Sequence, residues 1–436
     1  MELSAGARGR FADRLGFTGL CIFSTCLWLS IAGAYLGLAA MIAALALRAP
    51  GLWPQLRRDA FFLVTACFLV YLGLRTSASL SEFPEIAAAQ RKNAAAFLML
   101  WIFVLPIAVA LQGRVCRVLL AITLATAGLI LKMAFNIDWG NFPASVLDAR
   151  SYGFGVSHIG FGLYAGTVLL GLLLFAPRLS SSNLLPLPGW LRIVLWLALF
   201  AALLQGLIVD SSRAAWLACI VVFPAALLWR YRTSLSEMSG RHRLKLAAGG
   251  GAVLLAFAAL VWLNLPALKE RLGEEHHVMF SMLTLDPAKV PPTSVGLRFH
   301  FNVYGLEKWL ERPVIGWGPG TSRMLLMQHP LKAAHGFPHV HNTYLDAFLE
   351  LGSIGGGLFA ASAFLLIRML WRGRRDGSIP EDLAIFLFGV AAMLSIWSLS
   401  NVRYDHVDGR HYHLMLAAII YTFHLFARRT PGETNR

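Results

Sequence analysis

Apolar runs recur from near the start of this chain to near its end, and they constrain its fold more than any other feature. They fall at about 16–31, 33–47, 60–75, 93–112, 118–136, 157–176, 193–209, 214–229, 246–264, 342–371, 384–400 and 411–427. A helix needs roughly 20 apolar residues to cross a bilayer, about 17 at the least. Inside lipid a backbone must satisfy its own hydrogen bonds, which a helix does. The expected fold class is therefore all-α: a polytopic integral membrane protein with about 12 transmembrane helices. Only Gly33 separates the first two runs, so one long tilted helix is the competing reading there.

Composition agrees with lipid as the solvent. Hydrophobic residues make up 57% of the chain and charged residues 14%, where soluble domains carry about 25% charged. The formal charge of +15 could suggest nucleic acid, but the arginines punctuate spans instead of forming one basic domain, so no nucleic-acid partner is expected. Cys21, Cys26, Cys67, Cys116 and Cys219 each fall in or beside an apolar run and read as small packing residues. No cleavable signal peptide is expected, because the first run lacks a small-residue exit.

Charge also tests the span count. With both termini in the cytoplasm, the inner segments hold 22 Lys and Arg residues and the short outer loops seven. Cytoplasmic loops should be the richer set, and merging the first two spans would put Arg8, Arg10 and Arg14 outside. Two separate spans are expected. The chain then divides into spans 1–9 (1–264), a large outer loop (265–341), spans 10–12 (342–427) and a cytoplasmic tail (428–436).

The large loop interrupts a rhythm of short connections, and a long loop inside a compact architecture is usually functional. It opens with the charged stretch 269–277, passes Pro291 and Pro292, and continues into a helical stretch at 297–311 and a glycine-rich segment at 316–320. It closes on His335, His339, His341 and Asn342, with Asp346, Glu350, Gly352, Gly355 and Gly356 following. A continuous helix over 342–371 would be about 45 Å long against a hydrocarbon core of about 30 Å. His341, Asp346 and Glu350 are accordingly expected at the outer water boundary.

A histidine there suits proton transfer near neutral pH, although a cluster that only hydrogen-bonds loop backbone is the plainer reading. His335, His339 and His341, and separately Glu274, Glu275, His276 and His277, match no strong metal signature, and no metal or other cofactor is expected. Gly352, Gly355 and Gly356 read most simply as a small face for close helix packing. Arg213, after Ser212 at the mouth of the eighth span, and Arg298, at the start of the loop's helical stretch, could grip phosphate through paired donors. Ordinary interfacial anchoring explains either one alone. Lys132 reads as a snorkelling residue. The 316–320 segment could present N–H groups to an anion, or be a plain turn.

Taken in order, these features resemble the bacterial O-antigen ligases and the wider superfamily they share with O-antigen polymerases and some protein O-oligosaccharyltransferases. His341-Asn342 with Gly352 and Gly355 resembles the family's His-Asn, nine-residue, G-x-x-G signature, with Gly356 where Thr or Val is usual. Ser212-Arg213 with Leu217 resembles its arginine-plus-leucine motif, and Arg298 ahead of Pro313 and the glycine-rich segment resembles its loop arginine. The resemblance implies a membrane glycosyltransferase similar to the GT-C type, in the bacterial inner membrane with its site facing the periplasm. Its donor would be undecaprenyl diphosphate-linked O-antigen and its acceptor lipid A–core. The implied roles are His341 as base, with His339 competing for it, Arg213 and Arg298 on the donor diphosphate, and Ser212, Asn342, Asp346 and Glu350 in support. A polymerase or protein-glycosylating activity would use the same donor. A lipid or solute transporter is the reading from another class, but transporters place ionisable groups near the midplane on repeated, interrupted helices. Here the notable charges sit at span ends and no repeat is visible.

Overall fold

The computed structural model describes residues 5–147, 153–181, 187–232, 276–283 and 286–427, with 251, 259, 262–265 and 269 besides. Among these residues every regular element is helical. The expected ninth span at 246–264, the charged 270–275 stretch with Glu274 and Glu275, and the tail from 428 lie almost wholly or wholly outside the described residues, as do the side chains of His276 and His277.

Eight described helices are long and apolar enough to cross a membrane: Ile31–Leu56, Ala60–Glu82, Pro84–Leu111, Val115–Asn136, Gly189–Val209, Arg213–Tyr231, Thr343–Arg375 and Glu381–Ser398. The polytopic all-α class follows directly. Three further expected spans are helical but fall outside that set. The first run lies in α1 (Ala5–Leu29), which carries Arg8, Arg10, Asp13 and Arg14. The sixth is a helix of 17 residues, and the last, Val407–Phe426, holds Asp408 and Arg410 in its first turns. The first two runs are separate helices: Ser30 ends the continuity and its hydroxyl caps α2 (Ile31–Leu56) by accepting from the Gly33 N–H. The two pack closely where Gly19 meets Gly37, since a Cβ on Gly37 would lie 2.5 Å from the Phe23 nitrogen.

The chain forms two compact units, one of Met1–Leu131, His277–Pro380 and Ser398–Arg436, the other of Lys132–His276 and Glu381–Trp397. In the first, α3 (Ala60–Glu82) begins on Asp59, whose carboxylate accepts from the Phe62 N–H. The stretch after it forms α4 (Ala87–Ile102) and α5 (Val104–Leu111), and α6 (Val115–Asn136) follows. In the second unit come α7 (Ala144–Leu147), α8 (His158–Leu174), α9 (Ala176–Ser181), α10 (Gly189–Val209) and α11 (Arg213–Tyr231). Returning to the first, α12 (His276–Met282), α13 (Ser294–Glu311), α14 (Ser322–Leu326) and α15 (Thr343–Arg375) form the loop region and the long helix after it. The second unit takes α16 (Glu381–Ser398), whose Asp382 chelates Arg178 of α9 through two hydrogen bonds. The first unit ends with α17 (Val407–Phe426).

The expected unbroken helix over 342–371 is corrected. Gly352 interrupts α15 with φ 65° and ψ −174°, a conformation open essentially to glycine alone. The 313–318 segment fills the gap. Trp317 and Gly318 donate their N–H groups to the carbonyls of Leu349 and Glu350 at 2.9 and 2.7 Å, while Ser353 and Ile354 donate to Pro313 and Val314. Four backbone groups of α15 beside the break thus find partners in this segment, as a buried break requires.

Candidate active site

The site in the first unit is built around the start of α15. Asn342 is its N-cap: the side-chain oxygen accepts from the N–H groups of Tyr344 and Leu345, and the amide donates to Asn302 of α13 at 2.8 Å. Asn302 in turn donates to the Arg298 carbonyl. The His-Asn pair therefore couples a helix start to the neighbouring helix that carries Arg298.

His341, immediately before the cap, has φ 57°, in the left-handed region that few non-glycine residues occupy. Such strain collects at functional sites. Its ring stacks on Phe301 of α13 at 5.7 Å and 16° and meets Phe337 edge-on. Nε2 is buried and has no hydrogen-bond partner among the described residues. Burial, then the neighbouring His339 and the charge of Arg298, push the His341 pKa down to about 3, so the ring is neutral and its lone pair available.

His339 lies 4.5 Å from His341 ring to ring, and its Nδ1 accepts from the His341 N–H at 3.4 Å. Burial pushes its pKa down to about 4, partly opposed by Asp405. His335 bonds the His329 carbonyl and His300 the Val290 carbonyl, so these two hold loop backbone. Among the described residues no His, Cys, Asp and Glu group could hold a metal ion.

Arg298 is the fifth residue of α13, which starts after Pro291 and Pro292 with Thr293 as its cap. Its guanidinium donates to the Ser294 carbonyl and hydroxyl and to the Ser400 carbonyl. The second unit holds the other arginine: Arg213 is the first residue of α11, with Ser212 as N-cap. Asp210, three residues before Arg213, is buried against Gly162, and that burial pushes its carboxyl pKa well up.

Asp346 and Glu350 do not face water, correcting the expectation for both: they are 1% and 0% exposed. The insertion at Gly352 turns this part of α15 into protein. Asp346 accepts from the Ser322 hydroxyl at 2.7 Å and from the Tyr404 phenol. Glu350 accepts from the Asn93 amide at 2.9 Å and from the N–H groups of Gly320 and Ser322. In the glycine-rich segment the Gly320 N–H is thus taken by the chain's own Glu350 carboxyl, and the Gly318 N–H by the Glu350 backbone carbonyl. Gly355 is a packing residue, its missing Cβ making room for the Tyr71 ring.

Sequence reasoning overlooked Tyr71, Arg75, Asn93, Ser322 and Tyr404. The Arg75 side chain is nearly fully buried in an apolar helix, and an ionisable residue inside a span is itself a signal. Nothing in the sequence marks Tyr404. Burial and the adjacent carboxylates Asp346 and Glu350 push its phenol far up, keeping it a donor.

No curated protein matches the chain. Residues 193–360 match the family model described as O-Antigen ligase, a stretch that holds Ser212, Arg213, Arg298, His339, His341, Asn342, Asp346 and Glu350. That match makes residues 193–360 of this chain similar to the O-antigen ligase family.

Proposed function

We propose that this chain is an O-antigen ligase, transferring polysaccharide from undecaprenyl diphosphate to a sugar hydroxyl of lipid A–core, in the bacterial inner membrane with its site toward the periplasm. The match of residues 193–360 to the O-antigen ligase family supports the coarser activity, O-antigen ligase/polymerase-type glycosyl transfer in lipopolysaccharide assembly. The observation that carries the glycosyl-transfer mechanism is His341: a neutral imidazole whose buried Nε2 lacks a partner among the described residues, within electrostatic reach of Arg298. The choice of lipid A–core as acceptor rests on the family resemblance. A buried unsatisfied nitrogen costs about 1–3 kcal/mol, and such groups call for a functional account.

In this mechanism the acceptor hydroxyl bonds to Nε2 and gives up its proton there. Its oxygen attacks the anomeric carbon of the donor as the bond from that carbon to the diphosphate oxygen breaks, so the sugar is inverted. Undecaprenyl diphosphate leaves with the electron pair and needs no general acid. Arg298 stabilises the charge it gains; one such preorganised donor is worth roughly 3 kcal/mol. Arg213 is proposed for the same task on the family resemblance. His339 is the alternative base, and Asn342, Asp346 and Glu350 hold the backbone that carries His341. With arginines in this role the transfer requires no divalent metal.

The deciding experiment gives purified protein a lipid-linked O-antigen donor with lipid A–core, a second repeat unit or an acceptor peptide, each with and without chelator. Transfer to lipid A–core in chelator supports the ligase. Elongation of the repeat unit instead makes it a polymerase, and glycosylated peptide an oligosaccharyltransferase.

A further inference from the structure

The last turn of the short helix over 343–351 is held from α3. Arg75 Nε donates to the Ile315 carbonyl and Nη2 to the Gly316 carbonyl, both at 3.1 Å, and Nη1 meets Glu82 at 2.8 Å. Glu82 also pairs with Arg312 at 2.5 Å, and Arg312 lies over the Trp317 ring at 4.2 Å. Both ends of the inserted segment are thereby tethered to one end of α3. One turn away, the Tyr71 hydroxyl donates to the Leu351 carbonyl at 2.7 Å.

Simple packing does not call for this arrangement. The rest of the buried face of α3 uses the uncharged Phe61, Thr65, Phe68, Leu72 and Ser79, and a buried guanidinium is costly unless its donors are used. Here they are spent on Glu82 and on the Ile315 and Gly316 carbonyls, and the Gly316 carbonyl shares its peptide plane with the Trp317 N–H that bonds the Leu349 carbonyl of α15. From that clasp to His341 runs a rigid helix of about nine residues, roughly 14 Å at 1.5 Å per residue. A tilt of about 4° at the clasp moves the imidazole by about 1 Å, and a displacement of that size can cost about 10²-fold in rate.

We propose that Arg75 is a positioning residue for His341, acting through the 313–318 segment and the helix break at Gly352. The proposal rests on the reading of His341 as the base.

Its test is a double-mutant cycle on the full chain in lipid nanodiscs. Arg75→Gln, Arg75→Lys and Tyr71→Phe are each made alone and with His341→Ala, and kcat and donor KM are measured. Alone, Arg75→Gln is expected to lower kcat by about 10-fold or more with donor KM within about twofold. Arg75→Lys is expected to recover part of the loss. On the residual rate of His341→Ala, Arg75→Gln should have no further effect, because a base that is gone cannot be misplaced. Equal falls in both backgrounds, a raised KM with unchanged kcat, or an unaffected Arg75→Gln protein would each overturn the positioning role. Where Arg75→Gln fails to fold, Tyr71→Phe runs the same cycle with the loss of one hydroxyl and an expected fall of about threefold. Where the His341→Ala residual is too small to read, the kcat-against-KM split and the Arg75→Lys recovery decide. A fully active His341→Ala protein sinks the base assignment itself; an inactive one with additive Arg75 effects sinks only the positioning.

Discussion

His341 lies flat against Phe301, the ring centroids 5.7 Å apart and the planes 16° from parallel. The stack joins the residue before the cap of α15 to the middle of α13, three residues beyond Arg298. It aligns the imidazole where burial keeps it neutral, with Nε2 lacking a partner among the described residues. Removal of that ring should reach the chemistry before the fold. His341→Ala is expected to lower transfer by about 10²–10⁴-fold while expression and melting temperature hold. Transfer at the parent rate would move the base to His339 or remove it.

Arg298 should behave as a bidentate donor. Arg298→Ala is expected to lower transfer by about 10²–10³-fold, and Arg298→Lys to return only part, since an ammonium lacks the planar fork. Full activity in the lysine protein would show that charge alone suffices.

The histidine environment sets an acid limit. Folded pKa values of about 3 for His341 and about 4 for His339 lie below the ordinary 6.5, so the unfolded chain binds more protons below pH 6.5. The stability they contribute is full above that value and is lost as pH falls toward 4 and 3. The base form persists over the same span, so kcat/KM should stay level through pH 6.5 and fall only nearer pH 4, tracked beside the melting temperature. An acid limb centred on 6.5 in a still-folded protein would contradict the burial of His341. The kcat limb should lie higher, because a bound diphosphate favours the imidazolium.

Asn342 predicts a graded pair. Asn342→Ala loses the cap and should cost about 1 kcal/mol of stability. Asn342→Asp keeps the acceptor for the Tyr344 and Leu345 N–H groups but loses the bond to Asn302. Thermal unfolding should rank the parent first, Asp second and Ala last; an Asp protein less stable than Ala would refute the capping role.

Gly352→Ala should be among the most damaging single changes in α15. Its Cβ would lie 2.3 Å from the Val314 carbonyl oxygen, on a backbone with φ 65°. The loss should exceed about 3 kcal/mol, read as aggregation or a sharp fall in melting temperature. Near-normal folding would mean that the helix does not break there.

The sequence by itself determined the all-α membrane architecture, because hydropathy and backbone self-satisfaction in lipid leave little else for such runs. It also marked His341, Asn342, Arg213 and Arg298, because motif spacing along one segment is local information. Tertiary structure decided what could not be local. Gly352 looks like a packing glycine until 313–318 is seen filling the break, and Asp346 and Glu350 look like rim carboxylates until Ser322, Tyr404 and Asn93 close around them. Arg75 and Tyr404 take their meaning from partners more than fifty residues away. A hydrogen bond depends on which groups are brought within about 3 Å, and one chain's residue order does not state that.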